Sequence, residues 1–247
     1  MRTLSSSRKF YEKFYQHEDF FNPARDIYNA LRIQIISDLI RNEKGSLLIV
    51  GCGSGKDLAM ASPHHNVFAF DLSFCAVRKI SHRHARLMVA DALHLPFPNG
   101  YFSMVVCSEV LEHIFDIKQA VREFHRVLKN NGVLVVSSPN WLSWFGLARW
   151  LGEALWKRPF HSSDQPYDEW KTLWKYKREL APEFSVSQAR GVWYLPPLHY
   201  KGKGLSVSWT QRIYTVFCPM EGLFSRVFPF LGHLIVLKCF PHKEKIG

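Results

Sequence analysis

Cysteine is scarce in this 247-residue chain and badly spaced for bridging. Cys52, Cys75, Cys107, Cys218 and Cys239 are odd in number, spread along the length, and show no C-x-x-C or Cys/His ligand spacing. A disulfide framework and a structural zinc are therefore not expected. Long apolar runs are missing too. The most apolar stretches of the second half, 142–156 and 227–239, are interrupted by Arg149, Glu153, His233 and Lys238, against the roughly 20 apolar residues of a spanning helix. No membrane crossing is expected. The opening MRTLSSSRKFYEKFYQHEDF starts basic but never becomes apolar, so no secretory leader is indicated and the cytoplasm is the default compartment. Repeats and low-complexity tracts are also lacking, and 47% hydrophobic with 21% charged residues is the composition of a self-folding globular chain.

What is present is unevenly distributed. The chain carries a net charge of +11, of which +4 falls in residues 1–140 and +7 in residues 141–247, and all eight tryptophans lie after residue 140. The length fits one well-buried core better than two. We therefore read residues 1–247 as a single domain: a helical cap (1–45), a ligand-binding core (46–140), an acceptor region or lid (141–232) and a last strand (233–240).

Periodicity supplies the fold class. Ile27, Leu31, Ile35 and Leu39 recur at helical spacing across 25–42. The runs LLIV (47–50), VFAF (67–70), LMVA (87–90), MVVCS (104–108) and VLVVSS (133–138) are short and continuous, as strands buried on both faces are. Helical stretches near 73–82 and 116–129 separate them, so the sheet is expected to be mostly parallel and doubly wound. Farther on, 168–180 reads as a helix, and FSVSQARGVWY (184–194) and HLIVLKCF (233–240) read as strands.

Gly51-Cys52-Gly53-Ser54-Gly55 follows the first strand directly, where glycines let the chain turn sharply and a ligand approach the backbone. Three ligands compete for such a turn. A phosphate loop needs G-x-x-x-x-G-K-[ST], but Val50 and Asp57 occupy its first and last positions. A dinucleotide turn needs a small sixth residue, and Lys56 stands there. The third is an uncharged ribose with a methionine-like chain, its hydroxyls bonded by Asp71 at the end of the second strand. As a bland alternative, the glycines merely build a tight turn and Asp71 caps a helix.

LLIVGCGSG, FAFDLS, VADALHLPFPNGYFSMVVCSEVLEH and HRVLKNNGVLVVSSPN, in this order and spacing, resemble the successive motifs of the class I S-adenosylmethionine-dependent methyltransferases, in the small-molecule group called type 11. The resemblance implies a seven-stranded Rossmann-like sheet, with HLIVLKCF inserted antiparallel beside the fifth strand, and S-adenosyl-L-methionine as cofactor. It also implies that Gly51, Gly53 and Gly55 line its methionine and ribose, with Cys52 beside them. Asp71 with Leu72 would hold the ribose, Asp91 and Ala92 would flank the adenine, and Ser108 and Glu109 would close the pocket. The family's acidic residue two before the first glycine is Ile49 here, and Glu109 or Asp57 could supply that charge.

The acceptor is less legible. A hydroxyl or phenol acceptor needs a base, for which His113, Glu109, His161 and His199 are candidates, whereas a carbon or thiolate acceptor needs none. The basic charge raises RNA as a partner, but the fourth strand ends in Cys107-Ser108-Glu109 rather than in the [DN]-P-P-[YF] of base-methylating enzymes. A cofactor-binding subunit without activity is a further alternative. Trp141, Trp144, Trp150 and Trp156, mixed with Arg149, Lys157 and Arg158, suit an acceptor site for an apolar, lipid-linked or glycan molecule and a peripheral membrane contact. Equally, they suit a lid that simply packs on the sheet.

Overall fold

A computed structural model of the chain describes residues 4–17, 23–61, 63–80, 84–156, 167–195, 199–200, 203–204 and 206–242. The short apolar runs become strands. β1 (Gly45–Val50), β2 (His65–Asp71), β3 (Ala85–Val89), β4 (Phe102–Ser108) and β5 (Leu128–Pro139) pair in parallel, while β9 (Leu234–Pro241) runs antiparallel between β5 and β6 (Phe184–Val192). The order is β3-β2-β1-β4-β5-β9-β6, and β7 (His199–Tyr200) pairs with β8 (Lys203–Gly204) as a separate short hairpin. The seven-stranded, mostly parallel sheet and the antiparallel last strand are those expected.

Alternation along the strands divides the core. Leu48, Val50, Phe70, Val105 and Leu134 face α4 (Ile117–Val127) and α6 (Leu173–Leu180), whereas Leu47, Ile49, Ala69, Val106 and Val135 face α2 (Pro23–Ile40). With both faces covered, the central strands have no polar side, which is why they read as continuous apolar runs. Asp116 starts α4 by accepting the Gln119 amide at 3.0 Å. The helix expected over 168–180 begins only at Leu173, where Thr172 caps it; before that the chain is held straight by pairing, Glu169 N–H donating to the Glu112 carbonyl at 2.9 Å. The helical cap expected over 1–45 includes a separate first helix, α1 (Leu4–His17), and α7 (Val207–Val227), with Pro219 inside it, was not anticipated. The Trp-rich stretch forms α5 (Trp144–Trp156), and a short α3 (Phe74–Lys79) follows β2.

β1 has β2 on one side and β4 on the other, so successive crossovers leave in opposite directions there. A crevice opens outside the carboxyl ends of the strands at such a point. Here it lies above Val50, Asp71 and Ser108.

Candidate active site

The glycine turn is built for close approach. Gly51 and Gly53 take left-handed φ values of 66° and 47°, open to glycine and strained for other residues. A Cβ at Gly51 would stand 2.4 Å from Val110 Cγ2, and one at Gly53 would stand 2.7 Å from the Tyr15 hydroxyl. The Gly53 amide donates to Asp71 Oδ2 at 2.9 Å, and the Ser73 amide to Oδ1 at 2.9 Å. Asp71 is thus locked at the end of β2, each oxygen keeping a lone pair for a further donor, while burial pushes its carboxyl up. Asp91 is held in the same manner at the end of β3, accepting the Leu93 amide at 3.0 Å.

These groups line one cleft with Gly51, Leu72, Ala92, Glu109, Val110 and His113. Tyr11, Phe14 and Tyr15 of α1 form its roof. Glu12 fastens that roof, accepting the amides of Phe74 at 2.8 Å and Cys75 at 3.0 Å and the Ser73 hydroxyl at 3.0 Å. Although burial opposes it, the Cys75 and Phe74 amides bring Glu12 down to about 2. Lys79 also donates to the Tyr15 carbonyl.

Below the cleft lies a polar chain. Arg32 grips Asp57 with both nitrogens, at 2.6 and 3.2 Å, and donates to Ser108 Oγ. Ser108 and Ser137 are 2.9 Å apart, and Ser137 donates to Glu109 Oε1 at 3.0 Å. Glu112, next to the cleft, accepts from Ser138 Oγ at 2.5 Å. Burial, and then the Glu112 charge at Glu109 and the Asp168 charge at Glu112, raise Glu109 to about 8 and Glu112 to about 7. His113 Nδ1 lies 3.0 Å from the Tyr167 carbonyl. A carbonyl only accepts, so Nδ1 carries the hydrogen and Nε2, 3.8 Å from Glu112, keeps its lone pair. Burial pushes the imidazole down, toward the neutral form. The Tyr11 ring is 6.3 Å from that of His113, its hydroxyl buried without a hydrogen-bond partner among the described residues.

The cleft therefore gathers Gly51, Asp71, Leu72, Asp91, Ala92, Glu109 and His113. Cys52 and Ser108 lie beneath it, buried, and Gly55 sits one turn away as the cap of the short helix Lys56–Met60. Of the two acids that could stand in for the one missing at Ile49, Asp57 is engaged by Arg32 and Glu109 lines the cleft. Among the described residues, none that lines the cleft comes from 141–232: Trp141 and Trp144 border a separate groove. His199 belongs to β7, its side chain outside the described parts, and His161, Lys157 and Arg158 lie outside the described residues. Sequence reasoning missed Tyr11, Glu12, Tyr15 and Arg32. Arg32 carried one signal, the one cation between the apolar positions Ile27 and Leu39 of α2.

A parallel sheet with its order reversed at β1, a glycine turn, and carboxylates closing β2 and β3 define a nucleoside-binding domain of the Rossmann-like kind. A family model described as a methyltransferase domain, type 11, matches residues 48–136. An uncharacterized protein of Methanocaldococcus jannaschii is 25% identical over 242 residues, covering 95% of this chain and 98% of its own. A Mycobacterium tuberculosis protein named "Probable S-adenosylmethionine-dependent methyltransferase" is 34% identical across 51% of this chain and 46% of its own. A ubiquinone biosynthesis O-methyltransferase of Pseudomonas aeruginosa is 30% identical across 52% and 58%. The chain thus spans about half the length of these two named relatives. The crystal structure of a methyltransferase of Thermotoga maritima that depends on S-adenosylmethionine superposes with a TM-score of 0.64 at 14% identity, over 97% of this chain and 100% of that one. Residues 48–136 are a class I S-adenosylmethionine-dependent methyltransferase domain of type 11.

Proposed function

We propose that the chain methylates an oxygen of a bulky, apolar small molecule, free or carried on a lipid or glycan. The observation that carries this reading is His113: a neutral imidazole at the cleft, its Nδ1–H fixed on the Tyr167 carbonyl and its Nε2 free to take a proton. The named Pseudomonas relative, an O-methyltransferase, supports it.

The residues fit the cofactor. Asp71 offers ribose hydroxyls two oriented acceptors, Asp91 and Ala92 suit the adenine, and the Gly51 backbone leaves room for the methionine chain. When bound, S-adenosylmethionine supplies a methyl group already activated on a sulfonium. Glu109 lies where it can balance that cation. What remains for the protein is to orient the acceptor, exclude water and accept one proton. The α1 roof excludes water, and Nε2 of His113 accepts the proton of the acceptor hydroxyl. Tyr11 offers that hydroxyl a hydrogen bond.

Incubation with labelled cofactor and cell fractions tests the substrate class. Label is expected in apolar small molecules or in the lipid or glycan fraction, and label confined to RNA or protein would overturn the reading. With the acceptor in hand, His113→Ala is expected to lower kcat by about 10²–10⁴-fold while cofactor affinity is unchanged.

A further inference from the structure

Helices α5 and α7 point their apolar residues outward. On α5, Trp144, Leu147, Trp150, Leu151 and Leu155 are 49% to 66% exposed. Its charges turn inward: Arg149 lies 3.2 Å from Glu153 and 3.3 Å from Asp168, its guanidinium 5.2 and 4.9 Å from the centres of the Trp141 and Trp170 rings. On α7, the exposed Trp209, Val216, Met220, Leu223 and Val227 fall on one stripe of the helix. Glu221, the acid of that helix, is buried and accepts the Trp193 amide at 2.5 Å. Between the two helices runs an open apolar groove of about 820 Å³, with Trp144, Trp150, Phe217 and Phe224 among its walls. Water-facing monomers seldom leave so continuous an apolar surface uncovered.

Charge identifies what covers it. Arg212 and Arg226 are exposed along one edge of the α7 stripe, Arg212 standing 5.2 Å over the Trp209 ring, and neither helix presents an exposed acid beside them. A second copy of this chain would bring arginine against arginine. An anionic lipid surface meets the same arginines with opposite charge, takes the aliphatic side chains into its acyl boundary and seats indoles at headgroup level. We propose that the α5–α7 face docks the protein on an anionic bilayer. Docking goes beyond the methyl-transfer reading and holds whichever acceptor is methylated.

The full chain is to be spun with vesicles of phosphatidylcholine containing phosphatidylglycerol, and with phosphatidylcholine alone. Sedimentation with the anionic vesicles, weakened by salt and accompanied by a blue shift of tryptophan fluorescence, is expected. The double variant Leu147→Ser, Leu223→Ser should bind them about tenfold or more weakly, and Arg212→Gln with Arg226→Gln about tenfold more weakly. Both pairs are exposed and should leave circular dichroism and cofactor binding as in the parent. No binding at low salt overturns the proposal. So does a dimer in solution that the leucine substitutions dissociate while vesicle binding is absent. A chain that binds vesicles but labels only RNA refutes the acceptor reading and keeps the docking surface; one that methylates a lipid acceptor in detergent yet ignores vesicles does the reverse.

Discussion

Glu109 adopts a left-handed backbone, φ 55°, which costs a residue with a Cβ about 1–2 kcal/mol. Its amide donates to the Ser137 carbonyl at 3.0 Å, and the Ser137 hydroxyl donates to its carboxyl, so the strained turn fixes that carboxyl at the cleft. With Glu112 it forms a buried pair whose protons are retained chiefly by burial, with the Glu112 charge adding to it at Glu109 and the Asp168 charge at Glu112, to about 8 and about 7 against an ordinary 4.5. A sulfonium is attracted only by the ionised pair. Affinity for S-adenosylmethionine relative to the neutral S-adenosylhomocysteine should therefore rise as pH passes from about 7 to about 8, and Glu109→Gln should flatten the rise in a calorimetric titration. The ligand-free protein should respond in the opposite sense. A carboxyl raised in the folded state favours folding while protonated, so this contribution is complete below about 4.5 and is lost as pH climbs through about 8. Melting temperature should fall across that window, by about 2–4 °C for each kcal/mol lost, and fall less in the Gln variant. Elsewhere in the cleft, Gly53→Val forces a branched side chain onto the Tyr15 hydroxyl and Asp71→Ala removes the ribose acceptor. Each should weaken cofactor binding at least about tenfold in a thermal-shift titration, and wild-type binding by both would refute the placement.

At the scale of elements, α1 forms the roof of the cleft, and its attachment is largely polar. Glu12 holds the amides of α3, and Tyr15 stands over the glycine turn at Gly53. Glu12→Ala should loosen α1, seen as faster amide exchange over residues 4–17 and faster cofactor release, with amide exchange in β1 and β4 unchanged; slow exchange in α1 of the variant would show that its packing alone secures it. Nothing in the sequence announced this helix as a roof, because its mixed polar and aromatic residues meet partners far away along the chain. The parallel strands were legible for the opposite reason: Leu47–Val50 and Val133–Val136 are buried on both sides whatever else surrounds them. The motifs at Gly51, Asp71, Asp91 and Glu109 were equally legible, being local turns at strand ends. The site of the tryptophans was not. Helical spacing shows which of them share a face but not which cavity that face borders, and Trp144 borders the second groove rather than the glycine-turn cleft.

For the molecule as a whole, the second half of the chain completes the sheet begun by the first. β9 arrives last, yet it lies between β5 and β6 with Leu234, Ile235, Val236 and Leu237 buried on both of its faces. Lys238 reaches from it to the Leu39 carbonyl at 2.7 Å and to Glu43 at 3.0 Å, tying it to the end of α2. A fragment ending near residue 140 would keep the glycine turn but leave β5 as a long open edge, an aggregation hazard rather than a domain boundary. Limited proteolysis should thus yield no stable fragment of that length, and the full chain should melt in one transition. Asn140 is the residue on which this unity can be tested with one substitution. Fully buried where β5 ends, its amide donates to the carbonyls of Phe230 at 2.7 Å and Gly232 at 2.9 Å, and its side-chain oxygen accepts the Leu142 amide at 3.2 Å. Asn140→Ala strands those buried groups, at a cost of about 2–4 kcal/mol, without touching the cofactor cleft. If the halves fold as one unit, the variant should lower the single melting transition by about 5–15 °C and leave the affinity for S-adenosylhomocysteine at low temperature as in the parent. A split into two transitions, with the cofactor stabilising only the earlier residues, would instead mean that the first half folds alone.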